Sequence, residues 1–174
     1  MERRILVEKF MQDIWSVFRL RVNIRQPLEK VYAAWATRAG LESWFLRTAL
    51  ITATEGPRAG GEAIQAGDRY AWDWHGYPCE LVKEGRFTAA NGVDHVAFTF
   101  TQGYPVNIRL YREHDETIVE LVESELPTDE DSVFRYHVGD SKGWIFYLTN
   151  LKSVLEGGLD LRNRKQELRN VITA

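Results

Sequence analysis

Cysteine is nearly absent from this sequence of 174 residues: Cys79 stands alone. One thiol excludes an internal disulfide framework and gives no sign of an oxidising compartment. With no histidine placed to activate it in the sequence, Cys79 reads as an inert strand residue. Histidine is scarce too, at 75, 95, 114 and 137, with no His-x-x-His or Cys-x-x-Cys spacing, so no metal is expected. Basic residues do not exceed acidic ones, 22 against 25, for a net charge of −3. That balance argues against a nucleic-acid partner, which needs a basic footprint. No apolar run approaches the roughly 20 residues of a membrane span. The start, "MERRILVEKFMQDIW", has charges around each short apolar run and no small-residue cleavage site, so it does not read as a secretory signal, and a cytoplasmic location is expected. "EGPRAGGEA" (55–63) is glycine-rich but lacks the Lys-Ser/Thr ending of a phosphate loop, and no G-x-S-x-G elbow occurs. No cofactor is expected and no catalytic residue is assigned.

Aromatic residues are abundant instead, at 12%, with six tryptophans. That many large rings favour a thick core or a lined cavity. Their placement follows a pattern along the chain. Leu6, Val7, Phe10, Met11 and Ile14 share one face over 2–14 and predict an amphipathic helix, a strand being the alternative. Phe18, Leu20, Val22 and Ile24 alternate with polar residues and predict a strand. Pro27 opens a short helix, "PLEKVYAAWA", and Thr37 can cap a second, "RAGLESWF". From there to about residue 126 the alternation repeats strand after strand, with "GYP" (76–78) and "ANG" (90–92) as turns. "LPTDEDS" (126–132) reads as a linker.

The stretch "GDSKGWIFYLTNLKSVLEGG" (139–158) predicts one long helix. Trp144, Tyr147, Leu148, Leu151, Val154 and Leu155 fall on one face, and Thr149, Lys152, Ser153 and Glu156 on the other. Gly143 sits at the edge of the apolar face, and Gly157 and Gly158 suit the helix end. Ile145 and Phe146 point away from that face. Either a neighbouring segment covers them or they, or the N-terminal helix, form a homodimer contact. The element order predicts an α+β fold with helices on one face of an antiparallel sheet. A sheet of six to seven strands is about 20 Å or more across, and one helix about 10 Å, so a curved sheet around that helix leaves room at one end.

"GWIFYLTNLKSVLEGGLDLR" (143–162) resembles the C-terminal helix signature of proteins homologous to the activator of the heat-shock ATPase, within the START/polyketide-cyclase-like (SRPBCC) superfamily. "PLEKVYAAWATRAGLESWF" (27–45) resembles that family's N-terminal signature, and "GDRYAWDWHG" and "GRFTAANGVDHVAFTF" its central strands. The resemblance implies a helix-grip fold over 16–162, with 1–15 as an N-terminal helical extension and 163–174 as a tail. It implies function more weakly, because such folds serve ligand carriers, lipid binders, cyclases and a co-chaperone domain.

In that fold Tyr70, Trp72, Trp74, Phe98, Phe100, Leu121, Tyr147, Leu151 and Val154 face inward. The plain reading makes them core; the cavity reading applies first to Trp74, Trp144 and Tyr147. Glu123 shares strand parity with Val119 and Leu121, and could orient a polar ligand group or sit at the strand end in water. Asn150 lies at the edge of the apolar helix face, suited to a ligand or to a helix-to-loop hydrogen bond. His75 is a candidate base or a solvated turn residue. The resulting expectation is a protein that binds a small hydrophobic or amphipathic molecule between sheet and C-terminal helix. A cyclase- or hydrolase-type enzyme using Glu123 or His75, and an interaction protein that modulates a chaperone, are the alternatives.

Overall fold

The computed structural model describes residues 14–78, 81–165, 167–168 and 171–172. The helix expected over 2–14 and the thiol of Cys79 therefore lie outside the described residues, Ile14 apart. The elements run β1 (Phe18–Ile24), α1 (Leu28–Ala36), α2 (Arg38–Trp44), β2 (Thr48–Ala53), β3 (Gly56–Pro57), β4 (Arg69–Asp73), β5 (Lys83–Ala90), β6 (His95–Thr99), β7 (Pro105–Glu113), β8 (Glu116–Glu123) and the long α3 (Gly139–Leu155). The strands form one antiparallel sheet of eight in the order β1-β8-β7-β6-β5-β4-β2-β3. Six to seven were expected; β3 is a two-residue pairing inside a stretch that reads as loop from its glycines. This is the α+β helix-grip fold.

Local chemistry accounts for the elements. In β1, Phe18 and Ile24 are buried while Arg19 and Arg21 turn outward to Glu120 and Glu113. Charges on an outer strand also discourage pairing with another chain. Thr37 caps α2, its hydroxyl accepting from Gly40 N at 2.9 Å. A side chain at Gly40 would stand 2.1 Å from the Ala33 carbonyl oxygen, so glycine lets the two short helices touch backbone to backbone. Gly92, at φ +78°, turns the β5–β6 hairpin, and the Asn91 carboxamide oxygen accepts from the N–H groups of Val93, Asp94 and His95.

The helical path to α3 begins earlier than the sequence suggests. Asp129 caps a turn at Glu130–Ser132, and Val133–Val138 is π-helical before α3 proper. "TDEDS" thus serves as an N-terminal cap and acidic first turn rather than as linker, two roles with the same polar composition. At its other end α3 stops in a Schellman motif. Gly157 has φ +84°, and Gly158 N bonds Ser153 O at 2.7 Å.

The two ends of α3 meet the sheet differently. The C-terminal end is tied to β1: Lys152 Nζ donates to Asn23 O at 2.7 Å, and Arg25 N donates to Glu156 at 2.8 Å. The N-terminal half meets aromatic rings instead. The interior is continuous from Val31 and Trp35 of α1 through Trp72, Phe98 and Leu121 to Leu151. Among the described residues no helix is long and apolar enough to cross a membrane.

Candidate functional site

Beneath the first two turns of α3 the sheet and helix part and leave an open-mouthed cavity of about 580 Å³. This lies within the usual range for small-molecule sites, about 300–1,000 Å³. Its apolar wall comes from separate elements. Phe45 follows α2, Trp74 follows β4, Phe100 follows β6, and Trp144 and Tyr147 project from α3. The rings brace one another: Phe45 stacks on Trp144 at 5.2 Å and meets Tyr147 edge-on at 4.7 Å. Phe100 lies 5.0 Å from Trp144 and 6.3 Å from Trp74. Tyr77, Leu81 and Val82 are exposed and also line the space.

The wall is not uniformly apolar, because Lys83 and Asp140 also line it. Lys83 Nζ donates to Thr101 Oγ1 at 2.8 Å and lies 4.3 Å over the Phe100 ring. Asp140 interacts electrostatically with Lys83 and with the buried Glu123 carboxyl. Glu123, at the end of β8, is fully buried and receives Trp144 Nε1–H at 2.9 Å through Oε2. Its other oxygen, Oε1, and Asp140 Oδ2 are buried without a hydrogen-bond donor. A proton between the two carboxyl groups would satisfy both atoms.

Burial favours the neutral form of Glu123. Burial pushes its pKa up to about 8, with the nearby charge of Asp140 adding to the effect and the Trp144 bond opposing it. Asp140 is also raised, by burial, but Thr101 and Lys83 favour its charged form. The polar end of the cavity is thus Lys83 and Asp140, with Glu123 behind them biased by burial towards its neutral form.

The sequence-derived candidates divide sharply. Trp74, Phe100, Trp144 and Tyr147 border the cavity. Tyr70, Trp72, Phe98, Leu121 and Leu151 are buried in the core away from it, Trp72 stacked on Tyr70 at 3.7 Å. Glu123 is inside, as its strand parity suggests, and stands behind the wall residues. Asn150 is a helix-to-loop clamp: its Nδ2 donates to Trp44 O at 2.6 Å and its Oδ1 accepts from Leu161 N at 2.7 Å. His75 is half-buried and outside the cavity wall; burial first, then Arg162, lower its pKa. Ile145 is 53% exposed, whereas Phe146 packs partly against the core.

Lys83, Asp140 and Phe45 were not singled out from sequence, yet two carried a signal. Asp140 precedes Trp144 by four residues and Tyr147 by seven, which puts it on the inward helix face. Lys83 shares strand parity with buried Phe87.

The signature described as "Activator of Hsp90 ATPase homolog 1-like protein" matches residues 25–156. The chain belongs to this family. No protein of curated function matches it in sequence. Solved structures share its fold at low identity. A Staphylococcus saprophyticus protein is 18% identical with a TM-score of 0.66, over 84% of this chain and 96% of that one. The Aha1 dimer from Colwellia psychrerythraea, a solution structure, is 19% identical with a TM-score of 0.60, over 82% and 97%. DynU16, a protein in the dynemicin biosynthetic locus, is 16% identical with a TM-score of 0.65, over 86% of this chain and 50% of that one. The shared architecture is compatible with ligand binding or cyclase-like chemistry.

Proposed function

We propose that this protein binds a small amphipathic molecule in the cavity under the start of α3. The molecule's apolar body lies against Phe45, Trp74, Phe100, Trp144 and Tyr147, and its polar group is directed to Lys83 and Asp140. The observation that carries this reading is the division of one cavity wall into an aromatic part and a small charged part. Ligand sites commonly combine apolar lining with a few convergent polar groups in this way. Burial at about 25 cal/mol per Å² of apolar surface would supply the affinity, and the charged end the orientation. Gly143 supports the reading, since it borders the cavity and a Cβ placed on it meets nothing within 4 Å.

The test is native mass spectrometry of the purified protein, with a thermal-shift screen of fatty acids, sterols and aromatic polyketides. A bound mass, or a class-specific rise in melting temperature, is expected. No bound mass and no shift with any class would reject the reading. Acid–base catalysis on the bound molecule is a second reading, favoured by the buried Glu123 carboxyl, whose pKa is pushed up to about 8, beside Asp140.

A further inference from the structure

Lys83 stands apart from the other charged residues that surround it. Its ammonium group borders an aromatic-walled cavity, donates to a hydroxyl rather than to a carboxylate, and forms no ion pair among the described residues. Asp140 lines the same cavity beside the buried Glu123 carboxyl, and Glu123 Oε1 and Asp140 Oδ2 are both buried without a partner. An amine at an apolar wall beside a proton donor is the arrangement that imine chemistry needs.

We propose that Lys83 captures an apolar aldehyde or ketone in this cavity as a Schiff base, with the Glu123–Asp140 pair moving the protons. This rests on the cavity being a ligand site and names the chemical class of the ligand. Burial lowers the lysine's pKa from its ordinary value against the pull of Asp140 and Glu123, which raises the share of free amine.

The step balances without any further reagent. Lys83 first gives one proton to the carboxyl pair. Its nitrogen lone pair then attacks the carbonyl carbon, a C–N bond forms, and the carbonyl π electrons move to oxygen. The pair returns a proton to that oxygen and accepts one from nitrogen. A second proton transfer to the hydroxyl lets the C–O bond break, and water leaves. Net, ammonium and carbonyl become a protonated imine and one water. The positive imine then lies near the Asp140 carboxylate.

The test uses the full chain with 6-methoxy-2-naphthaldehyde and sodium cyanoborohydride, read by intact mass and peptide mapping. A single reduced adduct is expected at Lys83, formed about ten-fold faster than on exposed Lys30, Lys142 or Lys165, as an activated amine requires. Glu123→Gln, which keeps an acceptor for Trp144 but cannot give up a carboxyl proton, is expected to slow the adduct while leaving the fold intact by circular dichroism. Lys83→Met is expected to abolish it. Labelling spread evenly over exposed lysines, measured in the unsubstituted protein, would overturn the proposal whether or not the variants fold. The corresponding alcohol, 6-methoxy-2-naphthalenemethanol, separates this proposal from the one beneath it. A thermal shift with the alcohol but no adduct at Lys83 would overturn imine capture and leave the binding cavity standing. Preferential labelling at Lys83 with no shift from the alcohol would sustain capture and count against apolar burial as the source of affinity.

Discussion

Trp144 donates its indole N–H to Glu123 across 2.9 Å, with both side chains buried, and so ties the start of α3 to the end of β8. The bond holds the helix over the sheet at the place where packing is otherwise left open. Replacing Trp144 by Phe keeps an aromatic ring but removes the donor from a buried acceptor. A loss of about 1–3 kcal/mol in unfolding free energy is expected, measured by urea denaturation. A loss near zero would mean that the bond does not anchor the helix.

The proton on Glu123 makes stability depend on pH. Its folded pKa, about 8, lies above the ordinary value of 4.5, so the folded state keeps a proton that the unfolded chain gives up. The contribution is fully present below 4.5, declines as pH rises towards 8 and levels off above it. The decline reaches at most about 1.4 kcal/mol per pH unit. Glu123→Gln retains an acceptor for Trp144, offers an N–H to Asp140 and does not titrate. The variant is expected to lose this slope and to gain stability over the parent at alkaline pH. Urea unfolding across that interval checks it; parallel curves for parent and variant would contradict the raised pKa of Glu123.

Asn150 is expected to matter for stability rather than for ligand affinity. Its carboxamide serves the Trp44 carbonyl at 2.6 Å and the Leu161 N–H at 2.7 Å, joining α3, the end of α2 and the segment after the helix. Beside it, Arg162 donates to the carbonyls of Glu42, Ser43 and Leu46. Asn150→Ala leaves Trp44 O without that donor and is expected to cost about 1–3 kcal/mol. Urea denaturation reads the loss, and limited proteolysis should show faster cleavage after Gly158. Lost ligand affinity with unchanged stability would put Asn150 in the site instead.

How far the sequence reaches is seen in particular residues. Period-two alternation places Phe18 and Ile24, and also Glu123, on the inner side of the sheet, because strand parity is a local property. The wheel over 139–155 finds Trp144, Tyr147 and Leu151 inward for the same reason. Alternation alone does not separate Trp72, which is solid core, from Trp74, which borders the cavity; only the place of Trp74 near the open end of the strand does. Where the sheet and helix part is set by long-range packing. The polar end was harder still. Parity or the helical wheel points Glu123, Lys83 and Asp140 inward one at a time, but they come from three elements and no local signal brings them together.

Gly143 gives the most direct test of the ligand cavity. Glycine inside a helix costs about 0.5–1 kcal/mol relative to alanine, and here the space beside it is empty to 4 Å. Gly143→Leu is therefore expected to fold with at least the parent's stability and to fill the cavity beside Trp144. Measured by thermal shift with a ligand that stabilises the parent, the variant should show a higher starting melting temperature and no ligand-induced rise. A full ligand-induced rise in Gly143→Leu would place binding elsewhere and contradict the account.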